Sequence, residues 1–375
     1  MQTLIPTLLS ACVSAGWTVQ TNADRATAAL AASNTWGAAW SILVSLLVVA
    51  LLVTLLGLGL IYLERKIAAL FQSRLGPMRV GPYGLLQTVM DTIKLLLKED
   101  IVPDKADKVL HLLAPAIALT TPVVVLGLLP YGPLAQLADV NIGILFISAI
   151  SGFGVLGVLL GGWSSNNKWS LIGAMRAGAQ IISYELSATL ALLVVVMFAG
   201  TLSLSGIVES QAEGWWVWRA PLVGLVAFLI HLIASTAEIN RLPFDIPEGE
   251  SELAAGFHTE YSGMRFSFFF LAEFVNMFTV AALTTTLFLG GWMPFHVGEW
   301  ARFNEVMDHI PPLVWFSFKT GFIVFVIMWV RWTFPRLRVD QLMHFEWKFL
   351  LPVGFANLVA ASVVALGNWY FYPVA

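Results

Sequence analysis

Uninterrupted runs of apolar residues dominate this chain, and polar positions gather between the runs rather than within them. The run Leu46-Leu47-Val48-Val49-Ala50-Leu51-Leu52-Val53 does not alternate, so it does not fit a strand of a membrane β-barrel. A helix needs about 20 apolar residues to cross the hydrocarbon core. Stretches of about that length occur over 38–62, 109–130, 141–161, 180–201, 219–238, 264–289, 311–330 and 349–371. The pattern predicts an all-α integral membrane protein with about eight transmembrane helices, each closing its backbone hydrogen bonds internally. Pro115 and Pro122 predict a kink in the second span, and Ser148/Gly152 and Gly157/Gly161 predict close helix approach in the third. Residues 82–100 follow another pattern. Leu85, Leu86, Val89, Ile93, Leu96 and Leu97 share one helical face, and Gln87, Asp91, Lys94 and Lys98 share the opposite one. This predicts an amphipathic helix with Pro82 in its first turn, lying on the cytoplasmic membrane surface or against another subunit.

Composition agrees with that reading and narrows the chemistry. Of 375 residues, 58% are hydrophobic and only 11% charged, against about 25% charged in a soluble domain. The net charge of −3 gives no reason to expect a nucleic-acid partner. The single cysteine, Cys12, excludes a disulfide framework, a cysteine-rich zinc site and a self-contained iron–sulfur cluster. Of 20 lysines and arginines, all but Arg25, Arg219, Arg302 and Lys319 fall in the connections, or just inside the spans, on one side. That side is expected to be cytoplasmic, which puts both termini outside. Residues 1–37 form an external segment of unknown role, without the basic start of a signal peptide. Residues 38–375 form one membrane domain with long cytoplasmic connections at 63–108, 239–263 and 331–348.

Acidic residues stand in unusual places. Glu238, Asp245, Glu248, Glu250, Glu252 and Glu260 crowd a cytoplasmic stretch whose only nearby cation is Arg241, among too many apolar residues for a free loop. Glu185, His231, Glu273 and Lys319 lie inside spans. A charge at the bilayer centre costs roughly 2.5–3.5 kcal/mol on insertion scales, so such groups are expected to face the bundle interior, water or one another. Glu273, Asn276 and Thr284 share one helical face, as do His231, Ser235 and Glu238. With Glu185, and Tyr184 and Gln180 beside it, these faces are expected to line one hydrated route fit for proton transfer. His231 and Lys319 also admit purely structural readings. No hydrolase triad, phosphate-binding glycine loop or cysteine cluster occurs.

Four blocks then resemble a known family. They are Glu64-Arg65-Lys66 with Arg74 to Gln87, Asp91 and Lys94; Arg176 with Gln180 to Glu185; Ala237 to Leu253 with Glu260-Tyr261; and Arg331 to Lys348. Their order and content are similar to the H-type membrane subunit family of respiratory complex I, the proton-pumping NADH:quinone oxidoreductase. The resemblance implies a subunit that is not catalytic alone, sits in a bacterial inner membrane and forms a quinone chamber with hydrophilic-arm subunits. Quinone is then the substrate, while NADH, FMN and iron–sulfur clusters reside in partner subunits. Small membrane subunits leading to antiporter-like subunits, and lipids, complete the implied partners. The implied chamber residues are Glu64, Arg65, Arg74, Asp91, Phe270 and Arg331. The implied proton-coupling residues are Glu185, Glu238, Asp245, Glu248, Glu250, Glu252, Glu260 and Glu273, with Lys319 nearby. Met78 departs from the family, many members of which have Asn there. The homologous subunit of a membrane-bound hydrogenase, or of a cofactor-F420- or ferredoxin-linked oxidoreductase, and an independent secondary transporter remain alternatives.

Overall fold

The computed structural model describes residues 35–133, 135–220, 222–247, 255–296 and 300–370. In chain order the helices are α1 (Thr35–Phe71), α2 (Gln87–Leu97), α3 (Lys108–Leu128), α4 (Gly143–Ser164), α5 (Lys168–Ala199), α6 (Leu204–Glu209), α7 (Trp216–Arg219), α8 (Val223–Glu238), α9 (Gly263–Phe288), α10 (Ala301–Asp308), α11 (Pro312–Thr333) and α12 (Val339–Gly367). The described residues contain no strand, only one isolated bridge between Gly132 and Ala135. Every expected span is a helix, and seven of them are long and apolar enough to cross a membrane. The eighth, α8, has 16 residues, or roughly 24 Å at 1.5 Å per residue, short of a core of roughly 30 Å. The expected external segment lies almost wholly outside the described residues, as do both chain ends.

Three helices overrun their expected bounds at the basic end of the molecule, and these overhangs build the site. α1 continues to Phe71, so Glu64, Arg65 and Lys66 ride on a helix rather than in a connection. α5 starts at Lys168, where the Asn167 side chain accepts the Trp169 backbone N–H at 2.9 Å. Its Gly173 lies against the backbone of Gly256, 2.9 Å from where a Cβ would stand, so the 256–258 turn seats directly on the helix. α12 starts at Val339 and passes through a π turn at Glu346–Leu350. Pro352 follows at once; it has no N–H to give the Lys348 carbonyl and its ring would crowd that oxygen, which the wider turn accommodates.

α5 and α9 form the centre. More than half of the most apolar window of each is buried, against 17% for α1 and 22% for α12, which face outward. α5 packs on α4, α8 and α12, and α9 packs on α1, α3 and α11. The expected close approach is seen at Gly157, where a Cβ would stand 2.8 Å from the Ala118 nitrogen of α3. α2 buries only Thr88 and leaves Ile93, Leu96 and Leu97 exposed along its apolar face. Pro82 is not part of α2 as expected. It opens a separate 3-10 turn, Pro82–Gly84, set off by Tyr83 at φ 55° and by Gly81 and Gly84 at φ 74° and 78°.

Candidate functional site

At the basic end, a cavity of about 390 Å³ opens between α1, the chain after it and α9. Glu64, Arg65, Arg74 and Phe270 line it, with Phe274 and Trp332. Asp91 does not line it but is drawn to its rim by an ion pair with Arg65, and Gln87 Nε2 donates to the same carboxylate at 3.1 Å. The 72–81 chain is pinned to α1 by Lys66, which donates to the Pro77 carbonyl at 2.7 Å and touches Met78 Sδ. Arg331 reaches in from α11 to pair with Glu64.

A second cavity, of about 360 Å³, lies between the spans. It gathers Glu185 from α5, His231, Ser235 and Glu238 from α8, Glu273 and Asn276 from α9 and Arg331 from α11. Phe270 lines both cavities. Gly152 of α4 leaves room for Glu185, whose Oε1 lies 3.4 Å from where a Cβ would be. The two polar faces thus converge, with exceptions. Thr284 is buried away from the cavity and donates to its own helix at Val280. Tyr184 donates to the Leu342 carbonyl, and Gln180 donates to the Ala237 and Phe244 carbonyls; both fasten the end of the bundle instead of lining the route.

Arg241 joins the two cavities. Its guanidinium is 2% exposed, donates through Nη1 to both Glu64 oxygens at 2.9 and 2.8 Å, and meets Glu273 Oε1 through Nε at 2.6 Å. It also stacks over Phe274, 4.5 Å from the ring centre. One carboxylate of the first cavity and one of the second therefore share a single cation. Sequence reasoning placed Arg241 only as the lone cation of an acidic stretch. The signal that points to this role is the need of a buried acid for a fixed counter-charge.

Other expected residues are placed elsewhere. Lys319 is not near the acids and has no carboxylate partner among the described residues. It lies 12 residues before Arg331 on α11, roughly 18 Å along the axis. Its ammonium donates to the carbonyls of Leu289, Gly291 and Met293 at 2.6, 3.1 and 2.6 Å and sits 4.3 Å above the Trp215 ring. Glu260 accepts from Asn167 Nδ2 at 2.6 Å outside both cavity linings. Beside it Tyr261 stacks on His111 at 3.9 Å and contacts Ser164, and burial raises the Tyr261 hydroxyl above its ordinary range. Asp245 is half-buried in the chain following Arg241. Glu248, Glu250 and Glu252 lie outside the described residues. His258, not singled out from the sequence, lines the second cavity between Phe257 and Phe266, and burial pushes it down to about 4.

Fold and site together define a multi-pass, all-α integral membrane protein built around an acid-lined interior. The family profile described as NADH dehydrogenase matches residues 43–362. The H subunit of the NADH-quinone oxidoreductase of Phocaeicola vulgatus is 52% identical over 312 residues, 83% of this chain and 87% of that protein. The H subunits of the same enzyme from Bacteroides fragilis and Geobacillus kaustophilus are 51% and 50% identical, over 85% and 82% of this chain and 89% and 88% of theirs. The chain belongs to the NADH dehydrogenase family, as an H-type membrane subunit of an oxidoreductase complex.

Proposed function

We propose that this subunit forms, with hydrophilic-arm subunits, the quinone chamber of a proton-pumping NADH:quinone oxidoreductase, and passes the energy of quinone reduction into a row of carboxylates. The first cavity is the chamber segment: Arg65, Arg74 and the Asp91 pair offer polar contacts to a quinone head, and Phe270 offers an apolar wall for its tail. The second cavity is the start of the proton path, through Glu273, Glu238 and Glu185. Asp245, Glu248, Glu250, Glu252 and Glu260 extend it on the cytoplasmic side. Lys319 stands outside it. NADH, FMN and iron–sulfur clusters belong to partner subunits in this reading, and both termini are external.

One observation carries the proposal: Glu64 and Glu273 share Arg241. Quinone reduction takes up electrons and protons, so it changes the charge facing Glu64 and Arg331. When Glu64 gains or loses a partner in the chamber, its hold on Arg241 changes, and Glu273 is left more or less neutralised. A carboxylate gains or loses proton affinity with the charge beside it. The bridge thereby converts chemistry in one cavity into a proton shift in the other. The test is Glu273→Gln in the intact complex reconstituted in liposomes. Proton translocation is expected to fall at least about tenfold while the complex assembles. Full translocation would remove Glu273 from the path.

A further inference from the structure

Ser235 fixes the tautomer of a buried imidazole. His231 stands in the middle of α8, 3% exposed, and lines the second cavity with Ser235 and Glu238, one and two turns further along the helix. The Ser235 hydroxyl has one proton and donates it to the His231 backbone carbonyl at 2.5 Å. The same oxygen lies 3.4 Å from Nε2. With its proton already committed, Ser235 can only accept there, so Nε2 carries the ring hydrogen. In a neutral imidazole the other nitrogen is then a bare acceptor. That nitrogen, Nδ1, is buried and has no hydrogen-bond partner among the described residues, whereas buried polar atoms are nearly always satisfied by protein or water. The cavity that the ring lines has room for water, and Nδ1 itself is closed off by its neighbours, so a small shift of the packing brings the two together. The Phe288 ring lies 5.5 Å away at 37°, close enough to favour an imidazolium through its π face.

We propose that His231 is a further proton-carrying residue of this cavity, two turns of α8 deeper into the membrane than Glu238. A proton leaves the carboxylic acid of Glu238 or Glu273, crosses cavity water and binds Nδ1. An O–H bond breaks, an N–H bond forms, and the products are a carboxylate and an imidazolium, with the total charge of the cavity unchanged. The ring keeps its Nε2–H bond to Ser235 throughout. From Glu238 to His231 the charge moves roughly 10 Å along α8. The groups facing it are Glu185 from α5, Glu273 from α9, Arg331 from α11 and His258 from the turn before α9. The inference rests on the proton path proposed above and names a member of it.

The test uses the intact complex in liposomes with His231→Gln, which keeps a hydrogen-bonding side chain but removes the basic nitrogen. Protons moved per NADH oxidised, coupled turnover and the KM for quinone are measured together. Translocation is expected to fall at least about tenfold with the quinone KM unchanged. Normal translocation in His231→Gln overturns the proposal. Should that variant fail to assemble, Ser235→Ala keeps the imidazole and frees its tautomer. It is expected to slow coupled turnover about threefold, and unaltered turnover overturns the proposal. Glu238→Gln, run beside them, separates the two readings. If it loses translocation while His231→Gln keeps it, the path stands without His231; if both keep it, the path itself fails.

Discussion

Arg241 is the electrostatic pivot of the molecule, because a guanidinium this buried serves two acids at once. Breaking a buried ion pair from one side leaves an uncompensated charge and costs about 3–5 kcal/mol. Arg241→Gln leaves Glu64 with Arg331 but takes from Glu273 the cation that the structure gives it. The expected outcome is a complex with a lowered thermal midpoint and strongly reduced quinone reductase activity. Pairing that variant with Glu273→Gln removes the orphaned charge and should recover much of the midpoint but none of the proton translocation. A midpoint that stays as low in the double variant would show that Arg241 stabilises by packing on Phe274 rather than by pairing. Little of this could be read from sequence. The acids were legible because a carboxylate inside an apolar run is conspicuous. Their shared partner lies 177 residues from Glu64 and, by its numbering, far enough from Glu273 to escape any helical periodicity. Lys319 misled for the same reason: a buried amine points to an acid, yet backbone carbonyls at a helix end satisfy it as well.

At the scale of elements, the Lys319 cage closes the C-terminal end of α9, the helix that carries Glu273 and Asn276. The last carbonyls of a helix have no intrahelical donors and carry partial negative charge. Three of the carbonyls at or just beyond this end take the Lys319 ammonium, and the chain there turns through Gly290 and Gly291 at φ 73° and 50°. Lys319→Met should therefore cost about 2–5 kcal/mol of stability, as charged hydrogen bonds are lost and their acceptors stay buried. Protons moved per electron should not change. A selective loss of translocation at normal stability would return Lys319 to the proton path. The turn before α9 titrates separately. His258 has its pKa lowered from 6.5 to about 4 by burial, so the unfolded chain binds more protons than the folded one between those values. Stability is then constant above pH 6.5 and falls as pH drops from 6.5 towards 4. His258→Gln should flatten that acid limb of the thermal midpoint, with the gain over the parent growing as pH falls from about 7 to about 5. Parallel limbs would show that His258 is already charged in the folded protein. The elements themselves were legible wherever length decided: runs of about 20 apolar residues became helices. Boundaries were less so, because α1, α5 and α12 continue past their apolar cores through mixed segments, in which charged residues interrupt the apolar run and Glu64, Ala68, Ala69, Ala174, Ala177 and Glu346 are buried.

The whole molecule has two unlike ends. Glu64, Arg65, Arg74, Arg241 and Arg331 assemble one end, and it opens into the first cavity. The opposite end is closed by aromatic residues around two buried cations. Arg219 pairs with Glu213 at 2.6 Å and lies against Trp216 and Tyr370, while Lys319 sits over Trp215. Both of these cations are consumed by contacts within the chain, so they do not count as free charge in a connection. Discounting them leaves Arg302 as the other basic residue of that end among the described residues, which strengthens the asymmetry that orients a membrane protein. The open, basic end should face the cytoplasm, where hydrophilic subunits could cap the first cavity. With α8 counted beside the seven long helices, the eight crossings expected from the sequence would return the chain to the side on which it began. α8 is the crossing most open to challenge, since its 16 residues need the bilayer to thin or neighbouring segments to complete the span. A reporter joined after Ala375 should read as external, and one inserted in the connection between α9 and α11 should read the same. Opposite readings from these two positions would mean that an odd number of crossings lies between them. A cytoplasmic reading from both would mean that the basic end faces outward, where it could not meet an electron-delivering arm.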